Sequence, residues 1–412
     1  MLVLRSWLTN YGARRARLKH LIGLAPATLG SPLAHKGRGI LGSIFKGNHD
    51  SLIPDFLNAG DQVLDALELG SRFTWDLAER DLLADPPFYT KDDKTPYVAV
   101  FIGDTPYSGM RKVVDEPATD GTVRWAGAAL NTRKIIVNLA RNPGGGILQS
   151  SVEMTDFADG RLDIPMIGVP GANHATILSH AENTKSNGLV LADLVAYFIQ
   201  NVNSEAAYAT WIPDLWGASY PKNECFRERP AKKGWQHFVT RANDEKGNPI
   251  SDYSITLSFK KDGPEKTLQD FEEDLHAYRT DPSYRCFHVN LPEEVLNVLN
   301  ETNQGNNDDG ANGNAKLYVR INASTGTQLL KYQPYDREEN PLPVDPDNGE
   351  ILLDISDMLS STSRLFFPYT TTMLEIRISR ETAPIDNVST LLYFIKGQEL
   401  PEDEDQQGRT SD

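Results

Sequence analysis

Cysteine is scarce in this sequence, because the 412 residues include only Cys225 and Cys286. This count excludes a disulfide framework and a zinc site built on paired cysteines. A single disulfide between the two cysteines is an alternative, but we expect two reduced thiols. Long apolar runs are also missing, since none reaches the roughly 18 to 20 residues that span a bilayer. The N-terminal apolar run precedes its arginines, the reverse of a signal peptide, so we expect a soluble, cytoplasmic chain.

Positive charge is in the minority, with 41 Lys and Arg against 57 Asp and Glu. A protein that binds a phosphate backbone needs clustered basic residues, so nucleic acid is not an expected partner. The sequence also has no H-E-x-x-H motif, no P-loop and no G-x-S-x-G nucleophile elbow. Neither a metal ion nor a cofactor is predicted.

The first half of the sequence mixes helix-like and strand-like segments, which indicates an α/β fold. Apolar spacing predicts helices over Leu2–Tyr11 and Leu189–Val202 and strands over Leu18–Ala25, Tyr97–Pro106 and Ile164–Val169. The run KIIVNLA, from Lys134 to Ala140, fits a helix or a strand equally well. Two amphipathic segments around Gly70 are interpreted as part of an inserted helical cap over about residues 35–94.

The composition changes in the middle of the chain, where Pro, Trp, Lys and Arg crowd together without periodicity after Trp211. From Trp235 onward, short alternating segments separated by Gly, Asn and Asp turns are typical of an antiparallel β-sandwich. The C-terminus is strongly acidic, as in a disordered tail. We therefore predict three regions: an α/β domain over residues 1–224, an antiparallel β domain over 225–400 and an acidic tail over 401–412.

Two turns that contain glycine carry the residues that point to chemistry. Asp120 lies in ATDGTVRWAGAALN, after the strand at Tyr97, and His174 lies in GANHATIL, after the strand at Ile164. Polar groups beyond the carboxyl ends of parallel strands gather at one edge of the sheet, and an acid followed by a histidine fits the order of a hydrolytic triad. An Asp-Gly pair also occurs in ordinary turns, and a lone histidine in solvated loops, so the residues alone leave both interpretations open.

Three segments resemble parts of lipase-like α/β-hydrolases. LKHLIGLAPATLGSPLAHKG resembles the segment after the nucleophile helix, DGTVRWAGAALN resembles the acid-bearing turn, and GANHATIL resembles the loop of the catalytic histidine. The resemblance covers roughly the first half of the sequence. It implies the C-terminal half of an α/β-hydrolase sheet with a helical cap and hydrolysis of carboxylic esters. It also implies that Asp120 is the triad acid and His174 the general base and acid.

The nucleophile of that family is missing from the sequence. MLVLRSWLTNYG resembles the helix that follows the elbow, so we expect the serine upstream of Met1, in a chain that is N-terminally truncated and inactive as it stands. Ser31 and Ser108 neighbour glycines, but neither lies at an apolar turn from strand to helix. The alternative is a catalytically inactive hydrolase-like protein whose β domain binds a partner. A secreted lipase directed at other cells is a third interpretation.

The resemblance also implies a small ester or a lipid-like acyl substrate. The apolar segment from Phe56 to Leu83 suits an acyl chain and could gate access to the site. Contact with a lipid surface is a candidate interaction, and the patterns predict no oligomeric state.

Overall fold

The computed structural model describes a large part of the chain in the following ranges: residues 1–11, 17–36, 61–85, 88–89, 95–105, 107, 116–141, 152–154, 164–169, 171–177, 191–216, 235–261, 263–267, 273–291, 295, 297, 315–327, 329–336, 338–345, 349–359, 365–366 and 370–383. The predicted domain boundary at 224/225, the predicted tail over 401–412, Cys225 and Ser108 lie outside these ranges, as does much of the predicted cap. Within them, no helix combines the length and the apolar character that a membrane crossing requires.

The described ranges contain seven α-helices, one 3-10 helix (Ser356–Leu359) and fourteen strands. The α-helices are α1 (Leu2–Asn10), α2 (Pro32–Lys36), α3 (Asp61–Leu67), α4 (Arg72–Asp81), α5 (Trp125–Ala128), α6 (Leu191–Asn201) and α7 (Glu205–Trp216). The strands are β1 (His20–Leu24), β2 (Tyr97–Gly103), β3 (Thr132–Leu139), β4 (Val152–Met154), β5 (Met166–Val169), β6 (Trp235–Asp244), β7 (Tyr253–Lys260), β8 (Lys266–Thr267), β9 (Glu273–Ala277), β10 (Tyr284–Asn290), β11 (Lys316–Ala323), β12 (Leu330–Gln333), β13 (Glu350–Asp354) and β14 (Thr371–Thr382).

A parallel sheet with the order β1-β2-β5 lies in the first half of the chain. All seven residues of the central strand β2 are buried, which explains its uninterrupted apolar sequence. The three strands predicted from apolar runs are therefore confirmed. Because they are parallel, their last residues, Leu24, Gly103 and Val169, lie at the same edge of the sheet, which we call the carboxyl edge.

Helix α1 is tied to helix α4 by a buried ion pair. The guanidinium of Arg5 donates hydrogen bonds of 2.7 and 2.8 Å to the two carboxylate oxygens of Asp81, and both side chains are fully buried. Tyr89 donates a third hydrogen bond to Asp81. At the start of α1, the side chain of Met1 lies against Gly23, near the end of β1. Helix α1 therefore begins next to the carboxyl edge.

A seven-stranded sheet joins residues from both halves of the chain, in the order β4-β3-β14-β6-β10-β9 with β12 on β14. The ambiguous run KIIVNLA lies in β3 up to Leu139, so it is a strand except for its last residue, Ala140. A second sheet, β13-β11-β7-β8, is antiparallel throughout. Apolar residues from both sheets, such as Ile135, Phe287 and Ile321, share one core, which forms the predicted sandwich.

The large sheet differs from the predicted antiparallel pattern in one respect. Strand β14 runs parallel to β3 and β6, between which it lies, and antiparallel to its third partner, β12. Parallel pairing requires a long connection, and the chain provides one because β14 is far from both β3 and β6 in sequence. Since β3 and β4 precede the boundary predicted at 224/225, the sheet contains strands from both sides of it. The domain division itself stays a prediction.

We call the part of the chain from β6 to β14, Trp235 to Thr382, the β region. Two of its turns share a local design, in which an aspartate is followed four residues later by an asparagine and then by a proline. Asp244 accepts hydrogen bonds from the backbone and side chain of Asn248, and Asp336 accepts the same bonds from Asn340. The residue before each asparagine has a positive φ, which is 81° at Gly247 and 61° at Glu339. A glutamate is strained in this conformation, whereas a glycine is not.

Candidate active site

The carboxylate of Asp120 is held by its own turn. One oxygen, Oδ1, accepts hydrogen bonds from the backbone N–H groups of Thr122 and Val123, at 3.0 and 2.8 Å. The side chain is fully buried. These two bonds fix the orientation of the carboxylate and leave its second oxygen, Oδ2, for another partner.

That partner is His174. Its ring atom Nδ1 lies 2.9 Å from Oδ2 of Asp120, and its backbone N–H donates to the backbone carbonyl of the same residue, also at 2.9 Å. The two residues predicted from sequence are thus brought together by a main-chain and a side-chain contact. Because an ionised carboxylate only accepts, Nδ1 carries the proton and the other ring nitrogen, Nε2, is the basic one when the ring is neutral.

The loop that carries His174 is anchored on the end of β2. A Cβ atom on Gly103 would lie 2.3 Å from the carbonyl oxygen of Ala172, so only glycine allows this approach. Asp104, which is buried, accepts a hydrogen bond from the backbone N–H of Gly171 at 2.9 Å. Thr105 donates its backbone N–H to Ala172. The end of β2 therefore determines where the histidine loop passes.

The turn of Asp120 also depends on glycine. Gly121 has a φ of 96°, and a Cβ atom there would lie 2.6 Å from the ring of Tyr107. Tyr107 shares a hydrogen bond of 2.8 Å with the hydroxyl of Thr122. Glycine is therefore required after Asp120, because it leaves room for the aromatic ring that packs against the loop of Asp120, which we call the acid loop.

No nucleophile contacts the pair among the residues that the structure describes. Within those ranges, the ring of His174 is hydrogen-bonded through Nδ1 only, and about a third of its side chain is exposed. Ser31, one of the two candidate serines, is buried and donates its hydroxyl to the carbonyl of Thr122 at 2.7 Å. Its hydroxyl is thus committed to supporting the acid loop. Ser108 lies outside the described ranges.

Two histidines of the β region are buried and belong to a different network. His237 and His288 face each other across β6 and β10, and the pKa of each is held well below its usual range by burial and then by the nearby charge of Arg124. Nε2 of His237 lies 2.9 Å from the sulfur of Cys286, which is buried and not in a disulfide. Sequence spacing gives no sign of this contact, because it depends on how β6 and β10 pair.

In the described ranges, no three His, Cys, Asp or Glu side chains converge as metal ligands. The sequence contains one G-x-G-x-x-G pattern, GRGILG at residues 37–42, which lies outside those ranges. A dinucleotide-binding fingerprint follows a strand, whereas this pattern follows helix α2. It therefore assigns no cofactor site.

Comparisons with known proteins show the fold. No family model and no curated protein matches the sequence. Phospholipase PlaB from Legionella pneumophila in complex with thio-NAD is similar in structure, with a TM-score of 0.62 and 20% identity over 95% of this chain and 78% of that chain. A second structure of PlaB has a TM-score of 0.63 and 21% identity over the same shares of the two chains. The chain therefore has an α/β-hydrolase-like fold with an additional β region, as predicted.

Proposed function

We propose that this chain provides the acid and the base of a serine hydrolase that cleaves carboxylic esters of the lipase and esterase type. The observation that carries the proposal is the pair formed by Asp120 and His174. A buried carboxylate is fixed by its own turn and oriented on Nδ1, while Nε2 remains available. This is the arrangement that acyl transfer by a serine requires of its acid and base.

In the proposed reaction, Nε2 of His174 takes the proton from a serine hydroxyl as the oxygen attacks the ester carbonyl. The same proton then passes to the leaving alcohol, and a water molecule repeats the sequence to release the acid. Asp120 stays ionised, holds the imidazole in the tautomer with the proton on Nδ1 and stabilises the imidazolium that forms. The bonds from Thr122 and Val123 keep the carboxylate from turning away.

We propose that the serine belongs to a turn directly before helix α1. Support comes from the packing of Met1 against Gly23, which puts the start of α1 beside the carboxyl edge. Asp120 and His174 follow strands that end at that same edge. A nucleophile elbow has this location, since its serine sits between a strand and a helix at the carboxyl ends of the strands.

The substrate class rests on the fold. PlaB is named a phospholipase, and one of its structures contains thio-NAD, a small-molecule ligand. For this chain we propose an ester with a lipid-like acyl group, and we attach no role to a dinucleotide. A second candidate is an inactive hydrolase-like binding protein. It is favoured because, within the described ranges, no hydroxyl or thiol forms a hydrogen bond with Nε2 of His174.

Labelling with a fluorophosphonate separates the two candidates. The chain should be expressed both as it stands and with the codons that precede Met1 in the genomic reading frame. We expect the longer protein to be labelled and to hydrolyse p-nitrophenyl esters, and both properties should be lost in His174→Ala. His276→Gln is a matched control, because His276 also pairs with a carboxylate, that of Glu68, and belongs to β9. Full activity in His174→Ala, or an upstream sequence without a serine elbow, would overturn the proposal.

A further inference from the structure

A buried polar network connects the large sheet to the loop of Asp120. Its members are Arg124 in that loop, Cys286 on β10, His237 on β6 and Thr371 on β14. Arg124 Nη1 lies 3.2 Å from the sulfur of Cys286, the sulfur lies 2.9 Å from Nε2 of His237, and Nδ1 of His237 lies 2.6 Å from the hydroxyl of Thr371. None of the four side chains is exposed by more than 1%.

The direction of each hydrogen bond follows from what each group can donate. Thr371 donates its hydroxyl proton to the backbone carbonyl of Ala126 at 3.0 Å, so it must accept from Nδ1–H of His237. Nε2 of the neutral ring is then an acceptor, and the thiol of Cys286 donates to it. The sulfur accepts in turn from Arg124, because a guanidinium only donates. Burial and the charge of Arg124 keep the pKa of His237 low, in agreement with a neutral ring.

Both ends of this network lie in the segment that follows Asp120. Arg124 is one end and the carbonyl of Ala126 is the other, and between Asp120 and Arg124 lie the two N–H groups that orient the carboxylate. Arg124 also forms a buried ion pair of 3.1 Å with Glu116, which closes the loop on the other side of the acid. The loop is therefore fastened to the sheet at two points and closed upon itself at a third.

We propose that Arg124, Cys286, His237 and Thr371 are positioning residues, through which the seven-stranded sheet holds Asp120 in register with His174. This inference rests on the proposed function, since it gives the β region a role in the same site. The β region is then a support of the acid loop, and its strands contribute to the chemistry without touching the substrate. Three strands take part, and a shift of any of them moves the loop.

Nuclear magnetic resonance on the chain as it stands tests the proposal without any activity. In histidine-labelled protein at low temperature, the Nδ1 proton of His174 should give a low-field signal that disappears in Asp120→Ala. We expect the signal to be lost or broadened in Arg124→Met and in Cys286→Val, which removes the thiol donor at similar volume. Cys286→Ser keeps a donor and should retain the signal. Thr240→Val is the matched control, because Thr240 is a buried polar residue of β6 that bonds to Tyr253 instead.

Kinetics on the longer, active protein form the second arm. A displaced acid should lower kcat by on the order of 10- to 100-fold with little change in KM, since a misplacement of about 1 Å can cost about that much. Cys286→Ser should restore most of the rate lost in Cys286→Val. If the longer protein is inactive, the proposed function fails, while the resonance of His174 still decides the present inference. A signal that persists in folded Arg124→Met and Cys286→Val overturns it.

Discussion

Acidification should destabilise this protein through two buried histidines, well before its carboxylates titrate. His237 and His288 are almost completely buried, at 1% and 2% exposure, and burial followed by the charge of Arg124 lowers the pKa of both. In the unfolded chain, each ring would titrate near the ordinary value of about 6.5. Below that pH, the two histidines bind protons in the unfolded state but stay neutral in the folded state. The free energy of unfolding therefore falls as the pH falls.

The size of the effect follows from this difference in proton binding. Between about pH 7.5 and about pH 5.5, a histidine that stays neutral when folded and titrates near 6.5 when unfolded costs about 1.4 kcal/mol of stability. Two such rings cost about 2.7 kcal/mol. Carboxylates have ordinary pKa values of about 4, below this window, so they contribute little to the change. The loss is a large part of the roughly 5 to 15 kcal/mol by which folded proteins are stable.

Urea unfolding at the two pH values measures the effect. In His237→Gln and in His288→Asn, the loss between about pH 7.5 and about pH 5.5 should shrink by about 1.4 kcal/mol, although each variant is less stable at both pH values. Thr240→Val serves as the control, because it removes a buried polar contact of β6 without removing a titrating group. If the pH dependence of both histidine variants equals that of the parent, the rings are not held neutral and the reasoning is refuted.

Three substitutions test other parts of the structure. Gly103→Ala should displace the histidine loop, because the new Cβ would lie 2.3 Å from the carbonyl oxygen of Ala172. We expect the free energy of unfolding in urea to fall by about 1–3 kcal/mol. A wild-type unfolding midpoint would contradict the close approach. Asp81→Asn should lower the free energy of unfolding by about 3–5 kcal/mol, because the buried guanidinium of Arg5 loses its opposite charge. A loss below about 1 kcal/mol would argue against an ionic contact. Glu339→Gly should stabilise the protein by about 1 kcal/mol and so raise the thermal midpoint, because glycine adopts the φ of 61° without strain. A lower midpoint would contradict strain at this position.

Much of the parallel sheet could be predicted because its signals are local. The uninterrupted apolar run of β2 predicts a buried strand, and the turn residues after β2 and β5 identify where the chain leaves the sheet. Because β2 and β5 are parallel neighbours, the turns that follow them lie at the same edge of the sheet. The contact of 2.9 Å between His174 and Asp120 also depends on the close packing of the histidine loop on Gly103, which apolar spacing does not reveal.

The remainder could not be predicted, because it depends on pairing between distant parts of the chain. Strand β14 lies between β3 and β6, and no feature of KIIVNLA indicates a partner more than two hundred residues away. In the structure, the residues of β3 alternate between buried and half-buried from Arg133 onward. The apolar spacing of KIIVNLA does not reveal this alternation, because it fits a helix and a strand equally well. The contact between His237 and Cys286 has the same origin, since it exists only once β6 and β10 are in register.

The geometry of the pair also limits where a nucleophile can approach. Nδ1 of His174 is committed to Asp120, so a nucleophile must come within hydrogen-bond reach, about 2.6–3.2 Å, of Nε2 on the opposite side of the ring. Asp120 cannot turn to follow it, because its own turn holds Oδ1 and the loop around it is fastened to the large sheet. Under the proposed function, the nucleophile therefore reaches Nε2 from the carboxyl edge. Helix α1 is the element that we propose to carry it there, because α1 begins beside that edge and is held in place by the buried ion pair of Arg5 and Asp81.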